Sequence, residues 1–133
     1  MSPAVIDDPE THAEVSALFA AYERALVTND VAALDGFFFD APTTIRYGVG
    51  ENLRGIDAIR AFRSARSPAG LDRTLEAATV TAYGRDFAVA STLFRRPGAP
   101  GKVGRQMQSW VRFPFGWRIV AAHVSLINDP EAP

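Results

Sequence analysis

The chain has no cysteine, only two histidines and two methionines, and no excess of either charge: 14 basic against 15 acidic residues give a formal net charge of -1. Each shortage closes a class of function. Without cysteine there is no disulfide, no thiolate nucleophile and no zinc–sulfur site. Two distant histidines without clustered carboxylates make no ligand set, so neither a metal nor another cofactor is expected. A near-neutral chain offers no electrostatic case for nucleic acid or for an anionic membrane as partner. No apolar run approaches the ~18–20 residues that span a bilayer. Residues 1–14 are acidic and lack an apolar core, so no signal peptide is expected there, and the expected location is cytoplasmic. Glycine-rich phosphate loops of the GxGxxG and Walker kinds are also missing.

What is present is ordinary for one globular domain spanning residues 1–133, with 47% hydrophobic and 22% charged residues. Its densest β signal is the stretch 104–128, where GRQMQSWVRF and WRIVAAHVSLIN flank a PFG break and read as a hairpin. Strict alternation puts Gln106, Gln108 and Trp110 on one face of the first run. In the second run it groups Trp117, Ile119, Ala121, His123 and Ser125 against Arg118, Val120, Ala122 and Val124, with both faces mainly apolar. One face is expected to meet the protein's own helices and the other a second copy, making a homodimer through the outer face of the sheet.

Upstream, Val15, Leu18, Phe19, Tyr22 and Leu26 recur at helical spacing and predict a first helix over residues 8–28. Asp30 caps a short helix reaching about residue 38, and GIDAIRAFRSAR predicts a third. Two brief extended pieces, at about 43–47 and 51–54, precede it. Four strands follow, at about 73–83, 87–95, 102–113 and 117–126. Disorder is expected in the first few residues and the DPEAP tail. Helices first and a meander second make an α+β fold: a cone-shaped barrel of curved antiparallel sheet wrapped around the long N-terminal helix.

This order of elements, with the closing strand GWRIVAAHVS, resembles the SnoaL-like enzymes of the nuclear-transport-factor-like superfamily. YERAL with Asn29-Asp30, Ile45-Arg46-Tyr47-Gly48 with Glu51, GIDAIRAFRSAR, GRQMQSW and GWRIVAAHVS together are similar to the AtzH-like family, which includes proteins of oxalurate catabolism. The resemblance implies a dimeric α+β barrel that acts on small ureido compounds, in association with an amidase. It further implies conversion of 1,3-dicarboxyurea to allophanate, with Tyr22 and Arg46 as the matching catalytic positions. Met107 departs from the pattern, standing where a small polar residue is expected.

The residues themselves permit both functional and plain readings. Tyr22 lies on the apolar helix stripe, as a core tyrosine or as a hydroxyl donor aimed into a cavity. Arg46 is either a solvated strand arginine or a planar fork for a substrate carboxylate. Arg66 is a better pocket candidate than Arg63 and would suit a second carboxylate. Gln108 and Trp110, with Gln106, either line a polar pocket or face a dimer partner, because a buried amide without partners costs ~1–3 kcal/mol. His123 is a further candidate for binding, although its distance from Ser125 along a strand, ~6.6–7 Å, excludes a Ser–His pair. Asp35, Asp40 and Glu51 are candidate bases. The leading expectation is a cofactor-independent amidohydrolase for a small carboxylated urea. The alternatives are a non-catalytic ligand-binding or accessory protein of an amidase and, last, a ketosteroid-isomerase-like isomerase.

Overall fold

Asp8 starts the first helix: its carboxylate accepts from the Thr11 amide at 3.2 Å and the Thr11 hydroxyl at 2.8 Å. Pro9 follows at the first helical position, where its missing N–H is harmless. In the computed structural model, which describes residues 5–131, helix α1 runs Pro9–Val27 and buries Val15, Phe19, Tyr22, Ala25 and Leu26. Asn29, at φ 53, turns the chain, and Asp30 caps α2, Val31–Gly36, through the Ala33 amide. This helix stops short of the expected residue 38 because strand β6 captures the chain. The Ile119 amide donates to Phe37 O at 2.8 Å and the Phe39 amide donates to Ile119 O at 2.9 Å.

Two short strands follow, β1 Ile45–Tyr47 and β2 Asn52–Arg54, then α3 Ile56–Ala65. The remaining strands are β3 Thr74–Tyr83, β4 Phe87–Arg95, β5 Lys102–Phe113 and β6 Gly116–Asn128. They form one six-stranded sheet in the order β2-β1-β6-β5-β4-β3. The fold is α+β, as expected, with two refinements. β1 pairs in parallel with β6, whereas every other pairing is antiparallel. The sheet is also curled but unclosed, since β2 and β3 are its free ends. Irregularities at Glu76/Thr79, where Ala77 adopts φ 51, and at Ser109/Trp110 bend it.

Helix α1 packs on β3 and β4, and α3 packs on β1 and β2, so the concave face is the covered one. Of the termini expected to be disordered, residues 1–4 and 132–133 lie outside the described residues. Asp129 is held by Arg95 and by its own amide on Gly101 O.

Candidate functional site

Cross-strand pairing decides which side chains share the concave face. Arg46 sits opposite Ala122, Ala122 opposite Gln108, and Gln108 opposite Ala90. All four are buried, and alanines at two of the positions leave room beside the long polar side chains. Two residues along β5, Gln106 faces Thr92 and Val124, and Trp110 lies deeper at zero exposure. Arg63 of α3 and Tyr22 of α1 close over this surface, both buried. The ring of Tyr22 meets Phe37 at 5.7 Å and Phe38 at 6.4 Å, and Phe37 in turn meets Trp110.

The interior is rich in guanidinium groups. Arg46 Nη1 donates to Glu51 Oε1 at 2.9 Å and lies over the Phe62 ring. Gly48 makes that pair possible, since a Cβ there would stand 1.7 Å from Glu51 Oε1. Arg63 donates to Asp35 at 2.9 Å, and Arg73 binds both oxygens of Glu23 at 2.7 and 2.6 Å. Arg66 and Arg96 pair with no carboxylate among the described residues. Burial lowers the pKa of each, and neighbouring guanidinium groups lower it further: Arg46 and Arg63 for Arg66, Arg73 and Arg46 for Arg96. For Arg66, Tyr22 and Glu51 act in the opposite direction.

The buried polar atoms left without a protein partner sharpen this picture. They include Arg63 Nε, Arg66 Nε and Nη2, Arg96 Nε, Gln106 Nε2 and Gln108 Nε2, all of them donors; Asn29 Oδ1, in the turn after α1, is the exception. The two amides cannot simply be flipped. Gln106 Oε1 accepts from Arg73 at 3.0 Å and Gln108 Oε1 accepts from the Trp110 indole at 3.2 Å, which leaves each NH₂ as the free end. Orphaned buried donors are expensive, and donors in this arrangement suit an acceptor-rich ligand.

Tyr22, Arg46, Arg66, Gln108 and Trp110 therefore share one side of the sheet, whereas His123 does not. His123 is exposed on the convex face, opposite Met107 and edge-on to Tyr47 at 6.3 Å. The reason is an extra residue, Val120, between the pairs Trp110–Ile119 and Ser109–Ala121, which breaks strict alternation within β6. Met107, 56% exposed, also faces outward. Arg63 reverses its expected rank: at 2% exposure it is more buried than Arg66. Of the candidate bases, Asp35 and Glu51 are tied to arginines, and Asp40, 73% exposed, pairs with Arg60 at 3.5 Å. Glu23, Arg73 and Arg96 escaped the sequence reading because they sit outside any apolar period. The described residues hold no histidine or carboxylate cluster suited to a metal, and no helix among them is long and apolar enough to cross a membrane.

The AtzH-like family model matches residues 4–130. The chain belongs to the AtzH-like family. No curated protein matches it. Among solved structures, this AtzH-like chain is similar to a protein of unknown function from Pectobacterium atrosepticum, with 57% identity, 92% of this chain and 95% of the other covered, and a TM-score of 0.90. A cystatin-like fold protein from Burkholderia xenovorans matches at 46% identity over 96% of this chain and 99% of its own, with a TM-score of 0.91. A ketosteroid isomerase-like protein from Erwinia carotovora atroseptica, 18% identical over 91% of this chain and 99% of its own at a TM-score of 0.75, shares the fold alone.

Proposed function

We propose that this AtzH-like protein is a cofactor-independent enzyme of the amidohydrolase type, acting on a small carboxylated urea such as 1,3-dicarboxyurea and releasing allophanate. The observation that carries this reading is the set of unpaired buried donors on Arg66, Gln106 and Gln108, beside an Arg46 that is paired with Glu51. Arg46 and Arg66 hold carboxylate and carbonyl oxygens and stabilise negative charge as it develops. The Tyr22 hydroxyl donates a proton to the scissile nitrogen. As the C–N bond breaks, its electron pair passes to that nitrogen and carbon dioxide departs, and solvent reprotonates the tyrosinate. No covalent nucleophile is needed, which agrees with interior carboxylates that are all tied to arginines.

The test is release of carbon dioxide and allophanate from freshly generated 1,3-dicarboxyurea. Tyr22→Phe and Arg46→Ala should each lower the protein-dependent rate by about 10²-fold or more. Wild-type rates in both variants would refute the assignment. A second reading, an accessory protein that holds a labile intermediate for an amidase, draws on the same lack of a free base. Purified protein that gives no turnover alone but stimulates the amidase would favour it. An isomerase of the ketosteroid type wants an interior carboxylate base, and of the candidate bases Asp40 is at the surface while Asp35 and Glu51 are paired with arginines.

A further inference from the structure

Arg73 and Arg96 flank the same end of the β3–β4 hairpin, one just before Thr74 and the other just after Arg95. Their guanidinium groups lie over the ring of Phe94, at 4.5 Å and 5.1 Å from its centroid. Phe94 is fully buried and lies flat against Gly104, where a Cβ would stand 2.1 Å from the ring. The platform is therefore fixed. The two arginines on it differ in what they can still bind. Arg73 spends its donors on both oxygens of Glu23 and on Gln106 Oε1. Arg96 has no carboxylate partner among the described residues, and its buried Nε has no acceptor. By gripping the oxygen of Gln106, Arg73 turns the amide so that Nε2 is the free end, on a side chain only 3% exposed. Arg73 and Arg96 also line a pocket of about 440 Å³ with Val27, Asp72 and Pro97, which opens the arginine side of the cluster to solvent while Gln106 stays behind it.

We propose that Arg96 and Gln106 form a second carboxylate-binding subsite, held in place by Arg73, Glu23 and Phe94, that selects substrates carrying a carboxylate at each end. The proposal rests on the reading of the Arg46–Arg66 region as the first anion subsite and assigns the second carboxylate of a small linear dianion to Arg96 and Gln106. Gln106 and Gln108, two residues apart on one strand, are separated by ~6.6–7 Å, a span suited to the two ends of a five-atom backbone.

Isothermal titration with glutarate, an unreactive diacid of that length, and with pentanoate, its monoacid counterpart, tests the subsite without any turnover. Wild type should bind glutarate at least about tenfold more tightly, the scale of one charge-assisted contact. Arg96→Met and Gln106→Met should each bring that preference to within about twofold while pentanoate affinity stays unchanged, and Arg96→Lys should restore part of it. Circular dichroism verifies folding of each variant. Equal binding of both acids by wild type would overturn the proposal, and so would an equal loss of both acids in Arg96→Met. Because no reaction is followed, failure of the dicarboxyurea assay leaves this result standing, and a positive assay does not rescue it.

Discussion

At the scale of single residues, Arg66 carries the sharpest conflict between stability and binding. Its folded-state pKa lies below the ordinary value because burial and the charges on Arg46 and Arg63 disfavour the cation. A base with a depressed folded pKa is penalised wherever it remains protonated, and a guanidinium remains protonated throughout about pH 5–9. Arg66→Met keeps the apolar stem and removes the charge. It should raise the melting temperature of the ligand-free protein by roughly 2–4 °C, the scale of a stabilising change of order 1 kcal/mol in a domain of this size. The gain should not vary across that pH range. The same variant should lose most of the thermal shift that glutarate gives wild type. A melting temperature below that of wild type would show that Arg66 is structural. The burial of Tyr22 was legible from its helix stripe, whereas the pairing of Tyr22 with Arg46 came only from the family resemblance. Arg96 was not legible, because in FRRPGAP it reads as a solvated residue beside a turn, and only the fold lays it on Phe94.

Elements were legible where periodicity is strong and blurred where backbone competition decides. The stripe from Val15 to Leu26 and the cap at Asp8 place α1 within a residue or two. The end of α2 could not be read, because it is set by hydrogen bonds to Ile119, more than eighty positions away. The face of β6 was misassigned beyond Ile119 because an inserted residue leaves no mark in composition. Close approaches are equally silent, and the β4–β5 pairing depends on one. Gly104→Ala would drive a methyl group into the Phe94 ring, which is buried and bracketed by Arg73 and Arg96 and has nowhere to turn. Urea unfolding should show a loss of about 1–3 kcal/mol, the usual penalty for overpacking, with the m-value unchanged. Unchanged stability would mean that the platform is soft, and Phe94 could not then fix Arg96.

For the whole molecule, assembly turns on the convex face of the sheet. The helices pack on the concave side, leaving a row of Tyr47, His123, Met107 and Ser91 beside a row of Ile45, Ala121, Ser109 and Val89. These rows line shallow depressions of about 350 Å³, in which Met107 and Leu93 are 56% and 37% exposed. A face of small and apolar residues on a curled sheet suits a second sheet laid against it, since opposing sheets pack about 10 Å apart through just such side chains. A homodimer through this face also leaves the concave site of each copy untouched, so assembly and anion binding should separate. In light scattering, wild type should run at twice 14.4 kDa and Met107→Glu at 14.4 kDa, because a carboxylate placed at the centre of an apolar interface must be desolvated without a partner. Glutarate affinity of the Met107→Glu monomer should match that of the dimer. A wild-type mass of 14.4 kDa would refute the homodimer, whereas lost glutarate binding in the monomer would tie the curl of the sheet, and with it the spacing of Arg46 and Arg96, to assembly.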